Sequence, residues 1–345
     1  MAGRSLRPCL SLGSVFPGHS MLSHQRPAEI AKLATEMEAR VLGQSEALKP
    51  IVDACCRWKA GLAGEDKPVA AFLMLGPTGV GKTLTVEVLA EVLHGDSRHL
   101  IKIHCAEYRH SHEVARLVGA PPGYIGHKET QPRLSQRHVQ EAQSKNCQLV
   151  LLLLDEIEKA HPDLWDLLLG VLDKGELHLG DGSAADLRQS MIFLTSNVGA
   201  REQKGAIGFD PPGFGSRFAE IPQSAARRLF SPEFRNRLTA MLAYRALSEA
   251  DLRAVAELEL QRCAARLLQT RGLFLTFSPS AIHLVAVEAR NPQFGARPIG
   301  RAIESLLELP LAHLILSGQM NMGDELTVSA EDHILRFQRH RGASV

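Results

Sequence analysis

The sequence predicts an α/β fold: a parallel sheet covered by helices, followed by a smaller, mostly helical domain with short strands. Two observations carry that expectation. Continuous apolar runs at Ala70–Leu75, Leu100–Ile103, Leu149–Leu154 and Met191–Thr195 alternate with helical stretches, and strands that are apolar on both faces belong to a parallel sheet buried by helices. After about Arg245 the pattern shifts to long helices with few strands. With 345 residues, 45% of them hydrophobic, the chain is long enough for two or three folding units.

Taken in order, Met1–Gln25 mixes Arg4 and Arg7 with Ser, Gly and Pro and never gathers an apolar core before a cleavage site. Residues 1–26 therefore read as a flexible leader, with a transit peptide as the alternative. A helix over Ala28–Arg40 stops at Val41-Leu42-Gly43-Gln44, and a second, roughly Ser45–Ala63, ends in the turn from Gly61 to Asp66. Strand Ala70–Leu75 runs into Gly76-Pro77-Thr78-Gly79-Val80-Gly81-Lys82-Thr83 and a helix to about Leu93. Helices near Pro132–Ser144 and Pro162–Asp173 separate the later strands, and Gly205–Ala219 is the one long irregular insertion. Ser248-Glu249-Ala250-Asp251 resembles a capping box opening a helix to Arg271, which Gly272 stops. A strand Leu273–Phe277, a helix from Pro279, a third helix about Ala296–Leu316 and strands near Glu325–Ser329 and His333–Phe337 follow. The expected division is a large domain over 27–245 and a small domain over 246–345.

Composition narrows the function classes. Lys plus Arg number 39 against 38 for Asp plus Glu, so no overall field draws the chain to nucleic acid or an anionic membrane. The six cysteines include no C-x-x-C spacing, which suggests neither a zinc ribbon nor a disulfide framework and fits a reducing cytoplasm. No apolar run approaches the roughly 20 residues of a membrane span, so a soluble, cytoplasmic chain is expected.

Gly76 to Thr83 matches G-x-x-x-x-G-K-[ST] at every fixed position, between a strand and a helix. The glycines let backbone N–H groups converge on phosphate oxygens, Lys82 reaches the β and γ phosphates, and the Thr83 hydroxyl can ligate Mg²⁺. Asp155 and Glu156 close a buried strand, where the carboxyl edge of a parallel sheet meets ligands. Asp155 is expected to hold Mg²⁺ through its water shell and Glu156 to polarise the attacking water. Alone, such a pair is as often a solvated strand end; beside the phosphate loop it points to ATP hydrolysis.

These motifs, together with Leu117–Gly126, Asp155–Pro162, Thr195-Ser196-Asn197, Pro232–Arg237 and Gly295-Ala296-Arg297-Pro298, run in order over roughly residues 28–340. In that order the chain resembles the second ATPase module of the Clp unfoldases, the AAA+ family of ClpA, ClpB and ClpC. The resemblance implies an AAA+ P-loop NTPase with a lid domain. It further implies a ring homo-oligomer, a hexamer, which uses ATP and Mg²⁺ to thread unfolded or tagged protein through its pore as a chaperone in stress response. It assigns Asn197 as first sensor, Arg237 as an arginine finger acting on the neighbouring subunit, with Arg235 as competitor, and Arg297 as second sensor. Val41 and Leu42 take the adenine edge, and Tyr124 with Ile125 the pore loop that grips substrate. Ile207-Gly208-Phe209 takes the place of the tripeptide by which ClpA-like members dock a Clp-type serine peptidase, so such a peptidase, feeding proteolysis, is a candidate partner.

The chain also departs from the family. Lys128–Leu134 lacks the glycine pair that usually follows the pore loop, and neither an amino-terminal substrate domain nor a first ATPase module is expected. His104, Cys105, His110, His112 and Glu113 could suggest a metal site, but they overlay the family's stretch before the pore loop. Cys55-Cys56 reads as buried packing. A nucleotide-dependent scaffold and a nucleic-acid remodeller are the competing functions. The first would show a degraded Glu156, Arg237 or Tyr124, and the second a basic or wedge-bearing element.

Overall fold

The computed structural model describes residues 26–119, 132–199, 215–291 and 294–340 and, of 26–29 and 215–221, the backbone alone. Five parallel strands form the central sheet, in the order β2-β3-β6-β1-β7: β1 (Ala70–Leu75), β2 (Leu100–His104), β3 (Val150–Asp155), β6 (Ser190–Ser196) and β7 (Ala240–Ala243). Between β3 and β6 in the chain, β4 (Glu176–His178) and β5 (Ala184–Asp186) form a separate antiparallel hairpin.

Successive side chains of a strand point to opposite faces, and the apolar runs divide on that period. Phe72, Met74, Leu151, Leu153, Met191 and Phe193 pack with Leu33, Met37, Leu48, Ile51, Val86 and Leu89. Those partners come from α1 (Arg26–Arg40), α2 (Ser45–Lys59) and α3 (Lys82–His94). Leu73, Leu75, Leu152, Leu154, Ile192 and Leu194 face the other way, onto Leu164, Leu168 and Val171 of the helix Pro162–Lys174 and onto Phe230 and Phe234. Burial on both faces explains why these strands read as continuous apolar runs.

Beyond β7, Ser248 caps the helix Glu249–Arg271 by accepting the Asp251 N–H while Asp251 accepts the Ser248 N–H, and Gly272 ends it at φ 64°. Helix Pro279–Glu288 and a three-stranded sheet follow, with β8 (Phe274–Phe277) parallel to β9 (Glu325–Glu331) and β10 (Ile334–His340) antiparallel to it. The expected α/β fold with a helical second part and short strands is thus the observed one.

Several elements differ from expectation. The second helix ends at Lys59 rather than Ala63. The helix expected over Pro132–Ser144 contracts to Gln136–Glu141, where only Val139 is buried. A helix at Ser111–Val118, the β4–β5 hairpin and edge strand β7 were not foreseen. A helix starts at Gly215, inside the segment read as irregular. The third helix of the second part starts at Ile299 and passes through a π turn at Glu304–Glu308 before Leu309–Leu316. Pro310 accounts for that turn: it cannot donate to the carbonyl four residues back and its ring crowds that carbonyl.

Candidate functional site

β1 delivers the chain into a loop whose tightest points are glycines. Gly79 sits at φ 77° and Gly81 at φ 102°, in the region that favours glycine. A Cβ on Gly79 would lie 1.9 Å from the Phe294 carbonyl oxygen, so the loop tip is pressed against the 294–297 turn. The Gly79 carbonyl accepts the Ala296 N–H at 3.0 Å. Lys82, the first residue of α3, folds its ammonium back to donate to the Gly76 and Pro77 carbonyls, both at 2.7 Å, and to Asn197 Oδ1 at 2.9 Å. Burial lowers its pKa to about 8, against the pull of Glu158, Asp155 and Glu156.

The carboxylates stand where β3 ends. Asp155 Oδ1 accepts from Thr195 Oγ1 at 2.5 Å and from Thr83 Oγ1 at 3.4 Å, and His104 Nδ1 lies 3.9 Å from Asp155 Oδ2. Glu156 adopts the left-handed conformation (φ 59°, ψ 51°), a costly state for a residue with a side chain. Its N–H is satisfied by Thr195 Oγ1 at 2.9 Å. Its carboxylate accepts from Asn197 Nδ2 at 3.3 Å and from Lys159 Nζ at 2.5 Å. Asn197 therefore bridges the Lys82 ammonium and the Glu156 carboxylate.

The opposite wall is apolar. Val41 and Leu42 line a cleft of about 620 Å³ with Leu247, Val255, Leu258 and Ile299, and the same cleft holds Thr78, Gly79, Val80, Gly81, Lys82, Thr83, Asp155, Glu156, Asn197 and Arg297. Val41 is also part of the core. Gln44 ties the wall together: Nε2 donates to the Val80 carbonyl at 3.3 Å and the Arg245 carbonyl at 3.0 Å, and Oε1 accepts the Arg245 N–H at 3.1 Å. The volume, apolar wall and few convergent polar groups suit a nucleotide. Thr83 and Asp155 supply the hard oxygen donors that fit Mg²⁺, which keeps most of its waters and needs few protein ligands.

Two of the expected residues stand elsewhere. Arg237 lines a separate cleft of about 340 Å³ with Arg57, Asp173 and Thr239. There its guanidinium pairs with Asp173 at 2.7 Å and Glu233 at 3.2 Å, which raises its pKa. Arg235 Nε donates to the Phe230 carbonyl at 3.2 Å. Tyr124, Ile125, Ile207, Gly208 and Phe209 lie outside the described residues, as does the leader up to Gln25.

Among the described residues no group of three or more His, Cys, Asp or Glu side chains is arranged to hold a metal ion. Burial pushes the Cys105 thiol far up, so it stays protonated, and Glu113 closes the start of its helix by accepting the His110 N–H at 3.0 Å. Cys55 is buried, its thiol pushed up to about 12 mainly by burial.

Sequence reasoning missed Thr195 and Glu158. Thr195 joins the two acidic residues through one buried hydroxyl, and Glu158 Oε1 accepts the Asn197 N–H at 3.1 Å. Both residues stood inside stretches that carried the family resemblance, Thr195-Ser196-Asn197 and Asp155–Pro162, but without a role of their own.

The profile of the AAA domain (Cdc48 subfamily) family matches residues 67–241, and that of the C-terminal, D2-small domain of ClpB protein matches residues 247–328. Chaperone protein ClpB 2 of Nostoc sp. is 36% identical over 323 residues, covering 93% of this chain and 36% of the relative. Chaperone protein ClpB of Streptomyces albus G is 40% identical over 308 residues, covering 89% of this chain and 34% of the relative. That of Corynebacterium diphtheriae is 39% identical over 316 residues, covering 92% and 34%. The chain thus spans about a third of the length of the curated relatives it matches.

Proposed function

The chain belongs to the AAA domain family, followed by the D2-small domain of ClpB proteins, and on that premise we propose that it is an ATP-hydrolysing motor that unfolds or remodels protein. The observation that carries this reading is the Asn197 amide linking Lys82 to Glu156 beside the Thr83–Asp155 pair, all in one cleft. Lys82 and the backbone of Gly76–Gly81 bind the phosphates, and Val41 and Leu42 bind the adenine. Thr83 and Asp155 would hold Mg²⁺, which spreads the charge of the β and γ phosphates. Glu156 accepts a proton from the attacking water, oriented by Asn197. Arg297, from the second part of the chain, reads the nucleotide from the far wall.

Arg237 lies outside the cleft of its own chain, which supports a finger acting on a neighbouring subunit in a ring homo-oligomer, for which the family's hexamer is the expected size. The working division is a nucleotide-binding unit over 27–245 and a lid over 246–345. Tyr124 and Ile125 grip unfolded or tagged polypeptide. Ile207-Gly208-Phe209 offers a docking point for a Clp-type serine peptidase, since the chain carries no peptidase of its own in this reading. No helix among the described residues is long and apolar enough to cross a membrane.

The test is ATP turnover with unfolded protein or with DNA added, paired with ATP-dependent unfolding of a tagged fluorescent protein. Stimulation by unfolded protein and loss of fluorescence are expected. Turnover stimulated by DNA alone would favour a nucleic-acid remodeller, and nucleotide binding without turnover a scaffold.

A further inference from the structure

The turn after β3 serves two purposes with one stretch of backbone. Glu156 stands in the left-handed region and opens a 3-10 turn over Ile157–Lys159, which brings Glu158 against the end of β6. There Glu158 Oε1 accepts the backbone N–H of Asn197 at 3.1 Å, while Oε2 is buried without a hydrogen-bond partner among the described residues. A half-satisfied buried carboxylate is costly to keep, so Glu158 is a poor choice on stability grounds alone.

The next link is the Asn197 side chain, held between Lys82 Nζ at 2.9 Å and Glu156 Oε1 at 3.3 Å. Glu156 is contested from the other side by Lys159, an exposed cation 2.5 Å from Oε2. Asn197 and Lys159 thus each hold one oxygen of the Glu156 carboxylate, the amide from inside the cleft. Where that amide sits follows from where the Asn197 backbone is anchored.

We propose that Glu158 is a positioning residue for hydrolysis: its carboxylate anchors the Asn197 backbone so that the Asn197 amide holds Glu156 toward the cleft. The inference rests on the hydrolytic reading above. Glu158 does not line the cleft, and its hydrogen bond goes to the Asn197 backbone rather than to the phosphate loop, which it reaches only through the attraction of its charge for Lys82.

Steady-state ATP hydrolysis and the affinity for a non-hydrolysable ATP analogue test it with Glu158→Ala, Glu158→Gln and Asn197→Ala, singly and combined. Glu158→Ala is expected to lower kcat on the order of 10- to 100-fold, as loss of an outer-shell partner typically does, with analogue affinity within about threefold. Glu158→Gln, whose amide oxygen still accepts the Asn197 N–H, restores most of kcat. In an Asn197→Ala background, Glu158→Ala adds less than about twofold, because the link it acts through is gone. Wild-type kcat in Glu158→Ala, equal losses in Ala and Gln, or additive losses in the double variant would each overturn the proposal. If Glu158→Ala does not fold, Glu158→Asp takes its place in the same cycle, since its carboxylate is one methylene too short for the bond. A wild-type chain without ATPase activity would instead remove the hydrolytic reading itself, and this inference with it.

Discussion

Gly79→Ala adds one methyl at the tip of the phosphate loop, and the structure sets its cost. At φ 77° the backbone is unfavourable for any residue with a Cβ, about 1–2 kcal/mol. The new Cβ would also lie 1.9 Å from the Phe294 carbonyl oxygen and 2.8 Å from its carbon. These are backbone atoms, so no rotamer relieves the clash, and the loop or the 294–297 turn must move by roughly 1.5 Å to reach ordinary contact. That movement breaks the bond from the Ala296 N–H to the Gly79 carbonyl, worth about 0.5–1.5 kcal/mol. Together the loop loses about 1.5–3.5 kcal/mol, which predicts nucleotide affinity weakened on the order of 10- to 400-fold. Gly182→Ala is the control: its φ of 85° imposes the same backbone cost, but nothing lies within 4 Å of its Cβ. Calorimetric titration with a non-hydrolysable ATP analogue, alongside thermal melting of both variants, separates the terms. Gly79→Ala binding within threefold of wild type and melting with Gly182→Ala would refute the claim that the 294–297 turn clamps the loop.

Glu156→Gln keeps the shape that accepts from Asn197 but loses the proton acceptor, so ATP should bind normally while turnover falls about 10²- to 10⁴-fold; near-normal turnover in a single-turnover assay would remove Glu156 from that role. Tyr244 is fully buried and its hydroxyl donates to Thr85 Oγ1 at 3.0 Å, so Tyr244→Phe should cost about 1 kcal/mol in denaturant unfolding, a claim that a change of only a few tenths would sink. His94 is buried with its ring stacked on His99, its Nδ1 3.1 Å from Ser144 Oγ and its Nε2 without a well-aligned hydrogen bond among the described residues. Burial first, and then the neighbouring His99, hold its pKa below the ordinary 6.5. The unfolded chain therefore takes up the proton first, so the stabilising contribution is complete above pH 6.5 and is lost as pH falls from there through the depressed folded value. Denaturation midpoints from pH 7.5 to 5.5 should flatten in His94→Phe, and a variant profile parallel to wild type would exclude His94 as the source.

The elements legible in the sequence are those whose signal is local. β1 appears at its predicted bounds because all six of its residues are buried, and the capping box at Ser248 is complete within four residues. What was missed depends on distant partners. β7 is four residues at a sheet edge, specified by its parallel pairing with β1 far away in sequence. The helix Ser111–Val118 buries only Val114 and Leu117, too little for a periodic pattern. The helix expected over Pro132–Ser144 is cut short for the converse reason: the polar stretch Gln136–Glu141 buries Val139 alone, while Leu134 and Ala142 enter the same core from just outside the helix.

The site divides in the same way. Gly76–Thr83 is contiguous, so its chemistry can be read from order alone. The contacts of Thr195 and Asn197 with Asp155, Glu156 and Glu158 cannot, because they depend on which face each strand end presents. That choice is made by the core. Leu151 and Leu153 point to the side of α1, α2 and α3, and so do Met191 and Phe193. Continuing the two-residue period sends Asp155 and Thr195 to that same side, where α3 begins and Thr83 waits 3.4 Å from Asp155. Shifting β3 by one residue against β6 would turn Asp155 toward the opposite core and part it from Thr195. The leucines of β3 thus do more than fill the interior, since their alternation between two cores aims the carboxylate. Glu156, next in the chain, would by the same period face away, and the left-handed turn with its N–H on Thr195 Oγ1 brings it back to the cleft. The strained backbone at Glu156 is therefore what allows two adjacent acidic residues to serve one site.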